Sequence, residues 1–333
     1  MASSYSNLHP VDEILTSLVI EAVPSDDQLI ADRAMETITI PERSGTLLLE
    51  ETRNFMGAPE LDLERAPGAS RALLGGFDRT SQTFKARIYS LSERIPMEDI
   101  IDSQYPGNEE QRAARKVARA MKLAKEKRCA DVLFDSSSFE SSSPAAGSKF
   151  DQAGSEPLTF LHELKDTVFE AAHGINPDSL IFGRNVFREL ARNPEVRGYL
   201  GTPTSNLSAG NRILNDEAVM QVLRDVLGIP NIMVGAARRE TAMPGATSSE
   251  AYIWDSETIF MGILRGSDAV VQKSGNVKGQ PLAAINFEFG GMVAGQYDSL
   301  DRITRTVYAE ESHQFKAIDS TLGHVVTNCL NDI

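Results

Sequence analysis

Between Asn108 and Phe134 the apolar positions Ala114, Val117, Ala118, Met121, Ala124, Cys129 and Val132 recur near helical spacing and trace one narrow stripe. Asn108 suits an N-cap, with Gln111 in the capping-box position and Glu109 and Glu110 in a first turn that favours negative charge. No Gly or Pro interrupts the run before Phe134. The pattern predicts one helix, roughly 40 Å long at about 1.5 Å per residue. Upstream, Ile38 to Pro96 reads as β-rich and loop-rich. Thr46–Leu49 and Thr83–Tyr89 are strand candidates, and in the second Phe84, Ala86, Ile88 and Ser90 alternate with more polar positions. Pro59, Pro67, Gly68, Gly75 and Gly76 punctuate the segment between them, so the two strands form an extended hairpin that finds stability on another subunit.

Downstream of a Ser-rich loop at Ser136–Ser148, a helix with Ser155 as N-cap and Pro157 near its start carries Leu161, Leu164, Val168 and Ala172 on one face. Leu180–Phe182 is a buried strand and Val186–Ala191 a short helix. Asn215 caps a further helix that turns Val219, Val222, Leu223 and Val226 inward and stops at Gly228. Ile232–Val234, Tyr252–Trp254 and Ile259–Leu264 read as strands, as do Thr304–Tyr308 and Phe315–Ile318, before a short apolar segment at Leu322–Leu330. The class is α+β, without a strict βαβ repeat.

Charge changes this picture. The chain has 333 residues, 41% of them hydrophobic, and a net charge of −14. The helix runs against that trend, with Arg112, Arg115, Lys116, Arg119, Lys122, Lys125, Lys127 and Arg128 on its remaining face against Glu126. The first forty residues are the opposite: Asp12, Glu13, Glu21, Asp26, Asp27, Asp32 and Glu36 stand against Arg33. An acidic arm and a basic helix suit one another across an interface. Phosphate contact through the helix is non-specific at most, since it offers no series of base-reading Asn or Gln and no interleaved aromatics.

Chemistry is sparse. The turn after Leu180–Phe182, Gly183–Arg184–Asn185, lacks the glycine spacing of a nucleotide site, and there is no Walker A sequence. His9, His162, His173, His313 and His324 never pair at metal-ligand spacing, and Cys129 and Cys329 are read as separate reduced thiols. Glu310–Glu311–Ser312–His313 is read as a solvated strand end. The expectation is no enzyme, no cofactor, no metal, no signal peptide and no membrane span.

The order of parts resembles the major capsid proteins of tailed bacteriophages, with the Hong Kong 97-type fold. Arg65–Ala66–Pro67–Gly68, followed by Gly75–Gly76–Phe77, is similar to an Arg-Ala-Pro-Gly signature in the extended loop of one large subgroup. Ile95–Pro96–Met97–Glu98–Asp99 is similar to the entry to the family's spine region, from which Met97 and Asp99 depart. Asn176–Gly183, Ile229–Gly235, Tyr252–Trp254 and Asp319 with Leu322–Gly323 resemble later segments in the same order.

The resemblance implies an N-terminal arm at 1–37, an E-loop with flanking strands at 38–96, and a peripheral domain with the spine helix at 97–176. An axial domain at 177–299 and a C-terminal return to the peripheral domain at 300–333 complete it. It also implies self-assembly as hexamers and pentamers into an icosahedral head around double-stranded DNA. Arg65, Ala66, Pro67, Gly68, Gly75 and Gly76 would act in the E-loop, and Arg112, Arg115, Lys116, Arg119, Lys122 and Lys125 would form the basic face. Portal, scaffolding and decoration proteins are the further partners. A separate scaffolding protein is expected because no scaffold segment precedes the arm. The product would be made in the host cytoplasm and end in the virion. An encapsulin-like shell protein and a basic-helix nucleic-acid binder are the alternatives.

Overall fold

A computed structural model describes residues 29–50, 79–102, 108–152, 154–200, 215–243, 245–265, 270–271, 277–278 and 282–331. The first 28 residues of the arm and the loop at 51–78 lie outside the described residues. In chain order the elements are α1 (Ala31–Ala34), β1 (Glu36–Thr39), β2 (Ser44–Glu50), β3 (Arg79–Lys85), β4 (Arg87–Pro96), α2 (Met97–Asp102), α3 (Asn108–Leu133) and β5 (Glu140–Ser142). Then come α4 (Pro157–Ala171), β6 (Ser179–Gly183), α5 (Arg184–Arg192), α6 (Pro194–Leu200), α7 (Asp216–Leu227), β7 (Asn231–Gly235), β8 (Arg238–Glu240) and β9 (Glu250–Tyr252). The chain closes with β10 (Ile259–Gly262), β11 (Val270–Val271), β12 (Val277–Lys278), β13 (Ala284–Glu288), β14 (Val293–Asp298), β15 (Thr304–Ala317), a 3-10 turn (Ser320–Leu322) and β16 (Gly323–Val326).

Two five-stranded sheets organise the molecule. The first is built on β15, which pairs with β4 from Thr304 to His313 on one side. On its other side β14 covers Arg305–Glu310 and β13 covers His313–Ala317. The sequence pattern predicts two separate strands here. They are one strand of 14 residues, because the segment between them is paired and buried. Glu311, Ser312 and His313 are therefore interior groups, not a solvated strand end. β1 adds to β13 in parallel, which ties the root of the arm into the sheet.

The second sheet runs β5-β16-β10-β6-β7. β6 and β7 are parallel, joined through α5, α6 and α7, as parallel neighbours require a crossover. β6 is buried at every residue. α7 starts and stops as its residues predict. Asn215 Oδ1 accepts the Ala218 N–H, and Gly228 takes the left-handed φ of 67° that a side chain would strain. Val219, Val222 and Leu223 face its core, while Val226 is only partly covered. Gly235 is needed for another reason: a Cβ there would lie 2.3 Å from Cγ of Trp254.

Local expectations fail where a tertiary contact overrides pattern. Thr83–Tyr89 is two strands, β3 and β4, broken at Ala86, whose N–H donates to Arg43 O. Phe84 and Ala86 are buried but Ile88 and Ser90 are exposed. β2 and β3 do pair antiparallel, from Ser44–Lys85 to Glu50–Arg79, as the base of the hairpin. Ser155 does not cap α4; its hydroxyl donates to Phe150 O and accepts from Asn193 Nδ2. β9 ends at Tyr252, so Trp254 is not in a strand and its ring is fully buried beside Phe134.

Candidate self-assembly elements

The E-loop residues Arg65, Ala66, Pro67, Gly68, Gly75 and Gly76 lie outside the described residues. The basic helix is fully described. α3 lies across β4 and β15. Ala114, Val117, Ala118 and Met121 fill a small core against Ile95, Ala294, Val307 and Ala309, and Cys129 and Leu133 reach a second core nearer Trp254. Ala124, expected in the stripe, is exposed.

Arg112, Arg115 and Arg119 are exposed along the outer face with Lys116 between them, at the i, i+3, i+4, i+7 positions of one helical surface. Arg112 pairs with Glu109 one turn back, at 2.8 Å, and Lys116 reaches Glu93 of β4 at 2.5 Å. Among the described residues no acidic side chain lies within ion-pair distance of Arg115 or Arg119. Lys122 stands at the edge of a hollow shared with Leu29, Asp32 and Glu126.

Lys125 does not belong to that face. Its side chain is 9% exposed, and Nζ sits 2.6 Å from Glu311 Oε1 and 2.8 Å from Asp32 Oδ1. Desolvation works against its charge, but the Glu311 and Asp32 carboxylates outweigh it and hold the ammonium pKa above its usual value. Burial likewise tends to raise the Asp32 carboxyl, and Lys125 with Lys122 overcomes this and lowers it. Asp32 is the described acid of the arm that meets the basic helix.

Glu126, the lone acid in the basic run, is also interior, at 1% exposure. Its Oε1 accepts the N–H of Ile30 at 2.9 Å and the indole N–H of Trp254 at 2.6 Å, and its Oε2 accepts the N–H of Ala31 at 2.9 Å. One carboxylate thus joins the arm root, the spine helix and the segment after β9. Burial pushes its pKa up despite these donors.

Arg128 lies 3.7 Å from the centroid of the Tyr89 ring, and its Nε–H donates to His313 Nε2 at 3.1 Å. Because a guanidinium can only donate, that imidazole nitrogen carries no proton, and the ring's proton is on Nδ1, 3.5 Å from Glu311 Oε2. Desolvation, then Arg128 and Lys125, push the His313 pKa down to about 3. Two polar contacts thus stand side by side, Arg128 with neutral His313 and Glu311 through Lys125 to Asp32, while His313 Nδ1 and Glu311 Oε2 face each other at 3.5 Å without a hydrogen bond. Among the described residues no group of three His, Cys, Asp or Glu is arranged to hold a metal ion.

Known proteins share this scaffold. No family model matches the chain. In sequence it is similar to the major capsid protein of Pseudomonas phage JBD67, 24% identical over 258 residues that span 76% of this chain and 77% of the relative. In structure it is similar to a phage-related protein of Bordetella bronchiseptica, with a TM-score of 0.67 at 17% identity over 96% of this chain and 97% of that one. The capsid structure of the cyanophage P-SCSP1u superposes with a TM-score of 0.53 at 8% identity, covering 88% of this chain and 86% of the other. The SrpI encapsulin of Synechococcus elongatus follows at 0.51 and 9%, covering 89% of this chain and 85% of that one. The chain has the Hong Kong 97-type α+β fold and resembles phage major capsid proteins.

Proposed function

We propose that this chain is a major capsid protein, copies of which assemble as hexamers and pentamers into an icosahedral head around double-stranded DNA. The observation that carries the reading is sequence similarity to a phage major capsid protein along three quarters of both chains. The encapsulin likeness is one of fold alone, at 9% identity.

In this reading residues 1–37 are the arm, 38–96 the E-loop and its strands, 97–176 the peripheral domain, 177–299 the axial domain and 300–333 the return. Arg65–Gly68 and Gly75–Gly76 contact neighbouring subunits. Arg112, Arg115, Lys116 and Arg119 face acidic arms or loops of the same or adjacent subunits, as Arg112 with Glu109 and Lys116 with Glu93 already do within the chain, with packaged DNA as a secondary, non-specific partner. Their exposure in one row and the acidic balance of the rest of the chain support this. Portal, scaffolding and decoration proteins are the further partners. Synthesis takes place in the host cytoplasm, and the role is structural.

Size-exclusion chromatography with light scattering on the purified chain, with and without nuclease, tests the reading. A nuclease-resistant megadalton particle is expected. A small oligomer that enlarges only on added DNA would identify a nucleic-acid binder instead.

A further inference from the structure

β4 pairs with β15 along its whole length, and the ladder ends at Arg87–His313. Extended past that point, the same register would set Lys85 opposite Phe315, Thr83 opposite Ala317 and Gln82 opposite Ile318. The chain does not extend it. It turns off at Ala86, and β3 gives its backbone ladder to β2 in a separate two-stranded sheet. Side chains stand where that ladder would have run. Gln314 Oε1 accepts the Lys85 N–H at 2.6 Å, Lys316 Nζ donates to Thr83 O at 2.6 Å, and Gln82 Nε2 donates to Ile318 O at 2.8 Å.

Two apolar residues hold the same hairpin base. Leu47 is buried in the core, and Phe84 stacks on Phe287 of β13 with ring centroids 4.8 Å apart and planes 12° from parallel. Apolar burial has no preferred direction, and a stacked pair can turn in its own plane. These contacts therefore attach the hairpin without fixing its angle. Hydrogen bonds are directional and weaken steeply when bent, so three of them between one strand and one edge do define an angle. Lys316 fits that role. Desolvation holds its pKa below the ordinary lysine value, and among the described residues its ammonium meets a carbonyl and no carboxylate.

We propose that Gln82, Gln314 and Lys316 are positioning residues, a polar clamp that sets the angle at which the β2–β3 hairpin leaves the body. Ala86 is the pivot. Its N–H donates to Arg43 O at 2.7 Å, so the two chains of the hairpin pass the pivot tied together. Only the use of the clamp, to present the extended loop to a neighbouring subunit at one angle, rests on the capsid reading. The clamp itself belongs to the isolated subunit.

The test is a pulsed electron-spin distance measurement on the full chain, spin-labelled at Thr80→Cys and Ala124→Cys and diluted in unlabelled chain. Cys129 and Cys329 are fully buried and take no label. Thr80 lies six residues from Ala86, roughly 20 Å along the strand, so a swing of about 30° moves its label by roughly 10 Å. The parent should give one narrow distance distribution. Each bond favours the clamped angle by roughly a factor of five. Gln82→Ala/Gln314→Ala/Lys316→Met should therefore broaden or split the distribution while Trp254 emission stays unchanged. Lys316→Arg, which keeps a donor, should stay close to the parent. If the triple variant does not fold, Gln314→Ala/Lys316→Met reads the same difference. A parent distribution that is already broad, or a clamp variant with the parent's distribution, would overturn the proposal. Failure of the parent to form shells would leave these distances untouched and count against the capsid reading alone.

Discussion

Replacing Lys125 by Met should be among the most damaging single changes in α3, although the residue looks in sequence like one more surface lysine. Its main partner, Glu311, is 3% exposed, and Lys125 itself 9%. Removing the ammonium strands that carboxylate in the interior, a loss of about 3–5 kcal/mol. The second partner, Asp32, is 58% exposed and contributes only about 0–1 kcal/mol. Because the penalty comes from the stranded charge, taking both charges away in Lys125→Met/Glu311→Leu should return stability to within about 1–2 kcal/mol of the parent. Urea unfolding of the unassembled subunit, followed by fluorescence of the single tryptophan, Trp254, measures all corners of the cycle. A loss below about 1 kcal/mol for Lys125→Met, or a double variant as weak as the sum of the singles, would refute the reasoning. The pH dependence has a definite sign. The folded-state pKa of Lys125 is raised, so its contribution is complete below the ordinary lysine pKa and lost as pH climbs through the folded value.

Glu126→Ala leaves the N–H groups of Ile30 and Ala31 and the Trp254 indole without their acceptor. It should cost about 2–5 kcal/mol, with a shifted Trp254 emission and faster amide exchange at Ile30 and Ala31; Glu126→Gln, which keeps one acceptor, should lose less. The depressed pKa of His313, about 3, predicts stability that is intact above the ordinary histidine value near 6.5 and falls as pH drops from there towards 3. His313→Gln should flatten that slope in an acid-unfolding titration. Deleting Ala58–Gly75 should give folded subunits, by circular dichroism, that form no stable shells, and normal shells would remove the E-loop assignment. Replacing Arg115, Arg119 and Lys122 by Gln should lower DNA-free assembly yield while leaving subunit unfolding unchanged, an effect that shrinks in 1 M salt as the Debye length falls to ~3 Å. If only DNA packaging failed, the face would belong to the nucleic acid.

The long helix was legible because Ala114, Val117, Ala118 and Met121 keep strict helical spacing. α7 was legible in the same way, through Asn215 and Gly228. The interior charges were not. Lys125 and Glu126 stand in a run of basic residues, where composition suggests solvent, and Lys125's partner Glu311 is 186 positions away. No local pattern can signal a pair that only the β15 register brings together. The same distance hid the continuity of β15: Glu310 to His313 reads as a solvated strand end, yet Glu311 Oε1 meets Lys125 and His313 Nε2 meets Arg128, both from α3. Ser155 shows the reverse error, since a side chain with good capping chemistry was taken up by a nearer tertiary partner, Asn193.

Cryo-electron microscopy of the purified, nuclease-treated chain tests the central claim most directly. The account predicts closed icosahedral shells with fivefold and sixfold clusters of subunits, in each of which α3 lies across β4 and β15. Monomers or small open oligomers under all assembly conditions, with the subunit folded, would contradict it.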